Sequence, residues 1–446
     1  MTHLTQELAR FIHQLKPQDL PETAATTVRR GISDCMGVLF AGRNEPVVGH
    51  AMSIISLCSG PRTARVLGDR GSASSADAAF INAVAAHALD YDDTGLDGHP
   101  SVVLAPVVLA EAQALGRNWQ SAVTAYVAGY ECWAELIARD PDKHHGKGWH
   151  PTAVFGVVAC AAASAHLRQL NLQQTAHALG IAASLTSGLV ANFGSMTKPL
   201  QVGWAARNGI LACQLAERGL TSSADALESP RGFLAALSPH GNANLERPCA
   251  AGQPWQIEQQ GLNIKRYPVC YAVHRVIDAC LSLRDRETIV VEQIHHIDVH
   301  IGHHQAAMLR SHAPQNELDA KFSAEFAVAC ALSSGHVNLD DLNDANITQP
   351  RLQSWMQLVR IHPTDVQDPD DPLFSPYDQV AIHLRNGGQL ISDPVSKAQG
   401  HAHRPIDEAQ LKEKFFDCAQ RTLSLTQATL WWLSCNATDD AIIYWP

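Results

Sequence analysis

Four stretches of this chain gather side chains able to move protons or hold a carboxylate. The first is Asp90-Tyr91-Asp92-Asp93-Thr94-Gly95-Leu96-Asp97-Gly98-His99-Pro100. Four carboxylates fall within eight residues, and a His-Pro pair closes the run. Carboxylates are costly to bury unless paired or put to use. Asp, Gly and Pro also build turns, so the run reads equally as a solvated turn with an Asp cap for a helix starting near Ser101. The second stretch is His144-His145-Gly146-Lys147-Gly148-Trp149-His150-Pro151-Thr152. Proline suits a helix start, which puts His150 just before a first turn. Backbone donors there favour an anion, and an imidazole beside them can act as acid or base near neutral pH. In the third, Asn192-Phe193-Gly194-Ser195-Met196-Thr197-Lys198-Pro199-Leu200, Lys198 stands alone among apolar and small residues between two buried helices. It reads as a base, as a counter-charge to a carboxylate, or as a snorkelling surface lysine. The fourth runs from Ile264 to Arg275. Arg266 can fork onto a carboxylate, Tyr267 can donate a hydrogen bond or a proton, and His274 opens a helix.

Other chemistries fit less well. Histidines are dense at His295, His296, His300, His303 and His304 and again at His144, His145 and His150. Strand alternation sends His295 and His296 to opposite faces, with His300 sharing a face with His296 only. Helical zinc spacings are absent, so no metal is expected. No glycine-rich phosphate loop, dinucleotide fingerprint or Gly-x-Ser-x-Gly elbow occurs, so no nucleotide cofactor is expected. The net charge is −11 without a long Lys/Arg run, which argues against nucleic acid or an anionic membrane as partner. No run of about 18 apolar residues suggests a membrane span. The 11 cysteines include no Cys-x-x-Cys pair and mostly sit in apolar runs, as at Cys35, Cys132, Cys160, Cys213 and Cys330. They read as small buried hydrophobes in a reducing compartment. With no signal-peptide pattern at the start, a cytoplasmic location is expected.

The elements that must position these groups are mainly helices. Apolar spacing predicts helices over Ala24–Ala41, Val47–Leu57, Ala76–Leu89, Val102–Leu115, Ser121–Arg139, Thr152–Leu170, Gln174–Val190 and Val202–Arg218. Cys58-Ser59-Gly60-Pro61 stops the second of these, and Gly68-Asp69-Arg70-Gly71 reads as a turn after a short strand at Ala64–Leu67. Many helices are rich in Ala, Gly, Ser and Cys, which lets axes approach closely. After about Ala250 the character changes. Ile289–Ile301, Val359–His362 and Val380–Leu384 read as strands, and Asn386-Gly387-Gly388 as a hairpin turn. Val273–Leu283 and Phe322–Leu332 read as helices, as do Asp407–Leu423 and Leu425–Ser434 beyond Pro405. At 446 residues, with 46% hydrophobic and 17% charged residues, the chain exceeds one core. We expect a mainly α protein: a large all-α helical-bundle domain from 1–255 and 406–446, and a smaller α+β domain over 256–405.

Taken in order, Asp-x-Asp-Asp-Thr…His-Pro, Gly-aromatic-His-Pro-Thr, Thr-Lys-Pro-Leu and Ile-Lys-x-Tyr-Pro…His resemble the motifs of the MmgE/PrpD family, across nearly the whole chain. The resemblance implies a helical large domain, a smaller α+β domain, a homodimer, a site in the cleft between domains, and no metal or organic cofactor. It carries over Asp90, Thr94 and His99 from the first motif, His150 from the second, Lys198 from the third, and Tyr267 and His274 from the fourth. Its substrates are small di- or tricarboxylates, and its reactions form or relieve negative charge beside a carboxylate, which needs a nearby cation or donor. Lys198, Arg266 and His99 are the expected stabilisers, with Thr94 and His274 also at the substrate. Lys198 and Tyr267, or a histidine, are expected to exchange the proton, with Asp90 orienting His99 or Lys198. One position departs from the family: Phe322-Ser323-Ala324-Glu325-Phe326 has phenylalanine where dehydratase-like and decarboxylase-like members have tyrosine. The short chain, that departure and overall similarity point to the iminodisuccinate epimerase branch, a cofactor-independent epimerase of iminodisuccinate-type dicarboxylates, with a lyase of the 2-methylcitrate dehydratase or cis-aconitate decarboxylase type as the alternative.

Overall fold

The computed structural model describes residues 3–55, 63–68, 71–369, 371–437, 441 and 443. The stop expected at Cys58–Pro61, and Asp69-Arg70 of the expected turn, lie outside the described residues. Helices dominate, accompanied by a two-stranded and a four-stranded sheet. No helix among the described residues is long and apolar enough to cross a membrane. The ten described cysteines are free.

The chain divides into two compact units. The larger is Met1–Ile264 with Asp407–Pro446, and the smaller is Lys265–Ile406. Residues 256–264 therefore pack with the larger unit, not with the mixed segment. The reason is Glu131, whose carboxylate accepts the backbone N–H groups of Gly252, Gln256 and Ile257 at 3.1, 3.0 and 2.9 Å. Tyr130 donates to the Gly261 carbonyl at 2.7 Å.

In the larger unit every residue of the Ser75–His87 helix is buried. Its N-terminus is closed by Ser74, whose hydroxyl accepts from Asp77 N at 3.2 Å. The Thr197–Glu217 helix packs on it and on Gly156–Arg168. Small side chains make that approach close. A Cβ added at Gly203 would sit 2.5 Å from Val84 Cγ2 and 2.9 Å from the Phe80 carbonyl oxygen. Three helices differ from the sequence reading. Thr197–Glu217 begins before Val202, so Lys198 lies in its first turn and not in a loop between helices. The Thr152–Leu170 run is two pieces, Pro151–Val154 and Gly156–Arg168. The helix expected to reach Val190 stops at Ser184, and Gly188 then turns the chain with φ 129°. The helix Glu408–Ala419, near the C-terminus, returns to pack on Glu22–Gly42. From it Lys414 reaches the buried Asp34 at 2.6 Å and the Tyr91 carbonyl at 2.9 Å.

The Ala64–Arg65 and Ser72–Ala73 strands (β1, β2) pair antiparallel in the larger unit. The four-stranded sheet of the smaller unit is built from β3 (Ile294–Gly302), β4 (Val359–Thr364), β5 (Gln379–Leu384) and β6 (Gln389–Ile391), in the order β4-β3-β5-β6. β3 runs parallel to β4 and antiparallel to β5, and β5–β6 is the expected hairpin. Ile294, Ile297, Val299, Ile301, Val380 and Ile382 face a core that also holds the His274–Arg286 and Ala324–Ser334 helices. The pairing register shifts between Ile294 and His296. This irregularity breaks the alternation expected for His295 and His296, whose Nδ1 atoms lie 2.7 Å apart.

Gly203→Ala is expected to destabilise the protein by about 1–3 kcal/mol through overpacking, read as a lower midpoint in thermal or urea unfolding. Gly49→Ala, in the Pro46–Ile55 helix where a Cβ meets nothing within 4 Å, is expected to be neutral or stabilising by about 0.5–1 kcal/mol.

Candidate active site

The Ser75–His87 helix ends on His87, an imidazole in an otherwise apolar end turn. Asp90 follows in the left-handed region, φ 54°, its N–H on the His87 carbonyl at 3.2 Å. That conformation is tolerated by Asp and brings its carboxylate back to the helix end. The next residues each take a separate partner. Asp92 lies between two imidazoles, 2.9 Å from His87 Nδ1 and 2.7 Å from His99 Nδ1. Asp93 accepts Ser101 N at 3.2 Å and the Ser101 hydroxyl, which also meets Tyr126 Oη at 2.7 Å. Asp97 pairs with Lys143 at 2.9 Å. The acidic run is therefore both things its pattern allowed. Asp93 serves the Pro100–Leu115 helix start, whereas Asp90 and Asp92 turn inward.

Two further elements complete the group. His150 is the residue before the Pro151–Val154 helix, with its N–H on the Gly188 carbonyl at 3.2 Å. Gln201 donates its amide to the Leu189 carbonyl at 3.1 Å, so its Oε1 accepts from His150 Nδ1 at 2.7 Å. This leaves the lone pair of a neutral His150 on Nε2. Lys198, 8% exposed, donates to Asp90 at 3.0 Å and lies 4.9 Å from the centre of the Phe193 ring. His99 Nε2 is 3.8 Å from the same Asp90 oxygen. The rings of His87 and His99 are 4.7 Å apart, those of His87 and His150 6.1 Å, and those of His150 and Phe193 4.8 Å. Among the described residues, His87 Nε2 and His150 Nε2 meet no hydrogen-bond partner although both are buried.

Burial drives the ionisation of these groups apart. It lowers His87 to about 4 against the pull of Asp92, and Lys198 lowers it further. Burial, then the charges of His87 and Lys198, hold His150 well below its ordinary value. Burial also lowers His145 to about 4. Burial alone would raise Asp92, but His87 and His99 overcome it and hold Asp92 well below the usual carboxylate range. Burial pushes Asp93 up to about 8, aided by Asp34 and Asp92 and against the Ser101 hydrogen bonds. Neutral His87 and His150, an ionised Asp92, a protonated Asp93 and the Lys198–Asp90 pair thus share one small volume. Titratable groups forced apart in this way suit acid and base roles.

Of the residues expected from sequence, the larger unit brings together Asp90, His99, His150 and Lys198. Thr94 is fixed beside them by backbone pairing with Asn263 at 2.9 and 2.8 Å, with its hydroxyl unpartnered among the described residues. Arg266, Tyr267 and His274 belong to the smaller unit. There Arg266 lies 5.6 Å from the centre of the Tyr267 ring. His274 is fully buried, its Nε2 3.2 Å from the Val269 carbonyl. Tyr267 donates to Asp278 at 2.7 Å, and burial and that carboxylate push the phenol well above its ordinary value. The sequence reading passed over His87, Asp92, Phe193 and Gln201. The donor atoms of His87, Asp90, Asp92 and His99 lie within 4.8 Å of one another and could also hold a metal ion. Such an ion would compete with Lys198 for Asp90, and the ammonium already supplies a cation at that carboxylate.

The sequence model of the MmgE/PrpD N-terminal domain matches residues 6–246, and that of the C-terminal domain matches 267–433. The chain belongs to the MmgE/PrpD family. Among curated relatives it is 28% identical to the cis-aconitate decarboxylase of Homo sapiens, over 94% of this chain and 89% of that protein. It is 27% identical to the Mus musculus enzyme of the same name, over 94% and 87%. It is 24% identical to that of Aspergillus terreus, over 92% and 88%. These relatives are named for decarboxylation. Phe326, the departure behind the epimerase expectation, is fully buried in the core of the smaller unit.

The Asp93 carboxyl gives a pH prediction. Its folded value of about 8 exceeds the ordinary 3.8, so the folded state holds the proton longer than the unfolded chain. The stability it contributes is present below about pH 4 and is lost as pH rises through about 8. His87, lowered to about 4, acts oppositely and only up to its ordinary value of 6.5. Between pH 6.5 and 8, urea unfolding is expected to show wild-type stability falling by about 1 kcal/mol per pH unit relative to Asp93→Asn.

Proposed function

We propose that the chain is a lyase that decarboxylates a small unsaturated tricarboxylate of the cis-aconitate kind without a cofactor. The observation that carries this reading is the Lys198–Asp90–His99–Asp92 array, an ammonium and an imidazole held over two carboxylates within one buried cluster. The names of the relatives support the choice of reaction.

In such a reaction the C–C bond to the departing carboxylate breaks and carbon dioxide leaves. The freed electron pair forms a new double bond, and the old π pair moves to the carbon beside a remaining carboxylate. One proton must reach that carbon, and negative charge develops on the adjacent carboxylate oxygens until it does. Lys198 is the cation for those oxygens, and its link to Asp90 holds the ammonium in place. His99 is the proton donor, its ring held 2.7 Å from the Asp92 carboxylate. His87 holds the other oxygen of Asp92 and so orients the pair. His150, neutral with its lone pair on Nε2, accepts rather than donates. That property favours a second reading, dehydration of a 2-methylcitrate-like hydroxy acid, in which His150 removes the carbon-bound proton.

The test is turnover of cis-aconitate by the purified protein in D2O. Carbon dioxide release with one deuterium in the product is expected. An absence of carbon dioxide together with a product that has lost water from 2-methylcitrate would move the assignment to the second reading. Deuterium exchange into iminodisuccinate alone would restore the epimerase. Lys198→Ala and His99→Gln are each expected to lower kcat by about 10²–10⁴-fold. Activity is expected to survive a chelator.

A further inference from the structure

The outer face of the four-stranded sheet carries a second cluster that the lyase chemistry does not use. In the β3–β5 ladder His296 stands opposite His383, and Asp298 lies two residues further along β3 on the same face. His383 Nε2 is 2.9 Å and His296 Nε2 3.4 Å from the same Asp298 oxygen, Oδ2. The donor atoms of the three residues all lie within 4.8 Å of one another. The two imidazoles stack with centroids 4.2 Å apart and planes 12° apart, so their Nε2 atoms converge from adjacent strands. All three side chains are partly accessible.

From this geometry we propose that His296, Asp298 and His383 form a binding site for a divalent transition-metal ion such as Zn²⁺. Ligands at the usual distance of about 2.0–2.2 Å from tetrahedral zinc are about 3.3 Å apart, close to the spacings around Asp298 Oδ2. Two imidazoles and one carboxylate, with a position left to water, are a donor set suited to zinc or its neighbours rather than to calcium or magnesium. Arg360 shares this face opposite Asp298 on β4, a neighbouring positive charge that weakens cation binding. The surroundings orient the ligands. His362 Nε2 lies 2.9 Å from the other Asp298 oxygen, Oδ1. His295 Nδ1 is 2.7 Å from His296 Nδ1, and the Gln389 amide lies beside the His383 ring, 3.3 Å from Nδ1 and 3.2 Å from Nε2, from which an ion would displace it. Because the ligands come from two paired strands, the frame exists before the ion arrives.

The test is titration of the full chain, stripped of metal by chelator and dialysed, with Zn²⁺ by calorimetry and with Co²⁺ by visible absorption. One ion per chain is expected, with the intense bands of tetrahedral Co²⁺. His383→Gln and Asp298→Asn are each expected to weaken binding at least tenfold, with metal-free thermal midpoints and cis-aconitate turnover unchanged. His99→Gln is expected to leave the binding intact. No saturable binding in the micromolar range, or binding that survives His383→Gln and Asp298→Asn but is lost in His99→Gln, would overturn the proposal. Turnover is read separately, so failure of this site leaves the lyase assignment standing, and the reverse.

Discussion

The structure of the larger unit depends on one buried anion, the Asp92 carboxylate clamped between His87 and His99. A carboxylate this deep needs partners: one oxygen meets His87 Nδ1 at 2.9 Å and the other lies 2.7 Å from His99 Nδ1, which also meets the Asp93 carbonyl at 2.9 Å. The clamp does three things together. It ties the end of the Ser75–His87 helix to the start of the Pro100–Leu115 helix across the intervening loop. It sets which nitrogen of His87 carries the proton. It also holds the His99 ring in place, with Nδ1 2.7 Å from the second carboxylate oxygen. Asp90 and Lys198 then sit above this arrangement as a second ion pair, closer to solvent.

The precision of that group comes from helices that have little side chain between them. Gly203 lets the helix carrying Lys198 lie against the helix carrying His87, with Phe80 and Val84 filling the gap. Gln201, one turn beyond Lys198, then reaches His150. The ammonium, the amide and the imidazole are placed by one rigid helix against two helix ends. Rigid elements hold a reacting group better than loops do, and the loop that carries Asp90 and Asp92 is pinned between two fixed helix ends.

Much of this was legible in the sequence, and the failures have physical causes. Asp90, His99, His150 and Lys198 stood out because charged groups beside apolar helices need partners, and the structure supplies them. His87 was equally legible in principle, a lone imidazole closing an apolar run, but its partner becomes visible only when the loop folds back. Tyr267 was read as a donor of a hydrogen bond or a proton, but local pattern could not show its partner Asp278, eleven residues away. His295 and His296 were placed on opposite faces by strict alternation. The three-residue step from Ile294 to Ile297 was the sign of an irregularity, since both isoleucines are buried. Phe326 was read for the hydroxyl it lacks, whereas its surroundings are wholly apolar. The boundary near residue 256 was missed because Glu131, far away in sequence, gathers the backbone of that segment.

Lys414 adds an order to the assembly of the molecule. Its ammonium is the partner of the buried Asp34 and also holds the Tyr91 carbonyl at the base of the acidic loop. During synthesis the first helices leave the ribosome long before this lysine exists. Until then Asp34 must stay hydrated or protonated, and the loop lacks its anchor. The chain therefore finishes its proton-handling group only when its last helices are made, so a nascent or C-terminally clipped polypeptide carries every residue of that group without its final alignment.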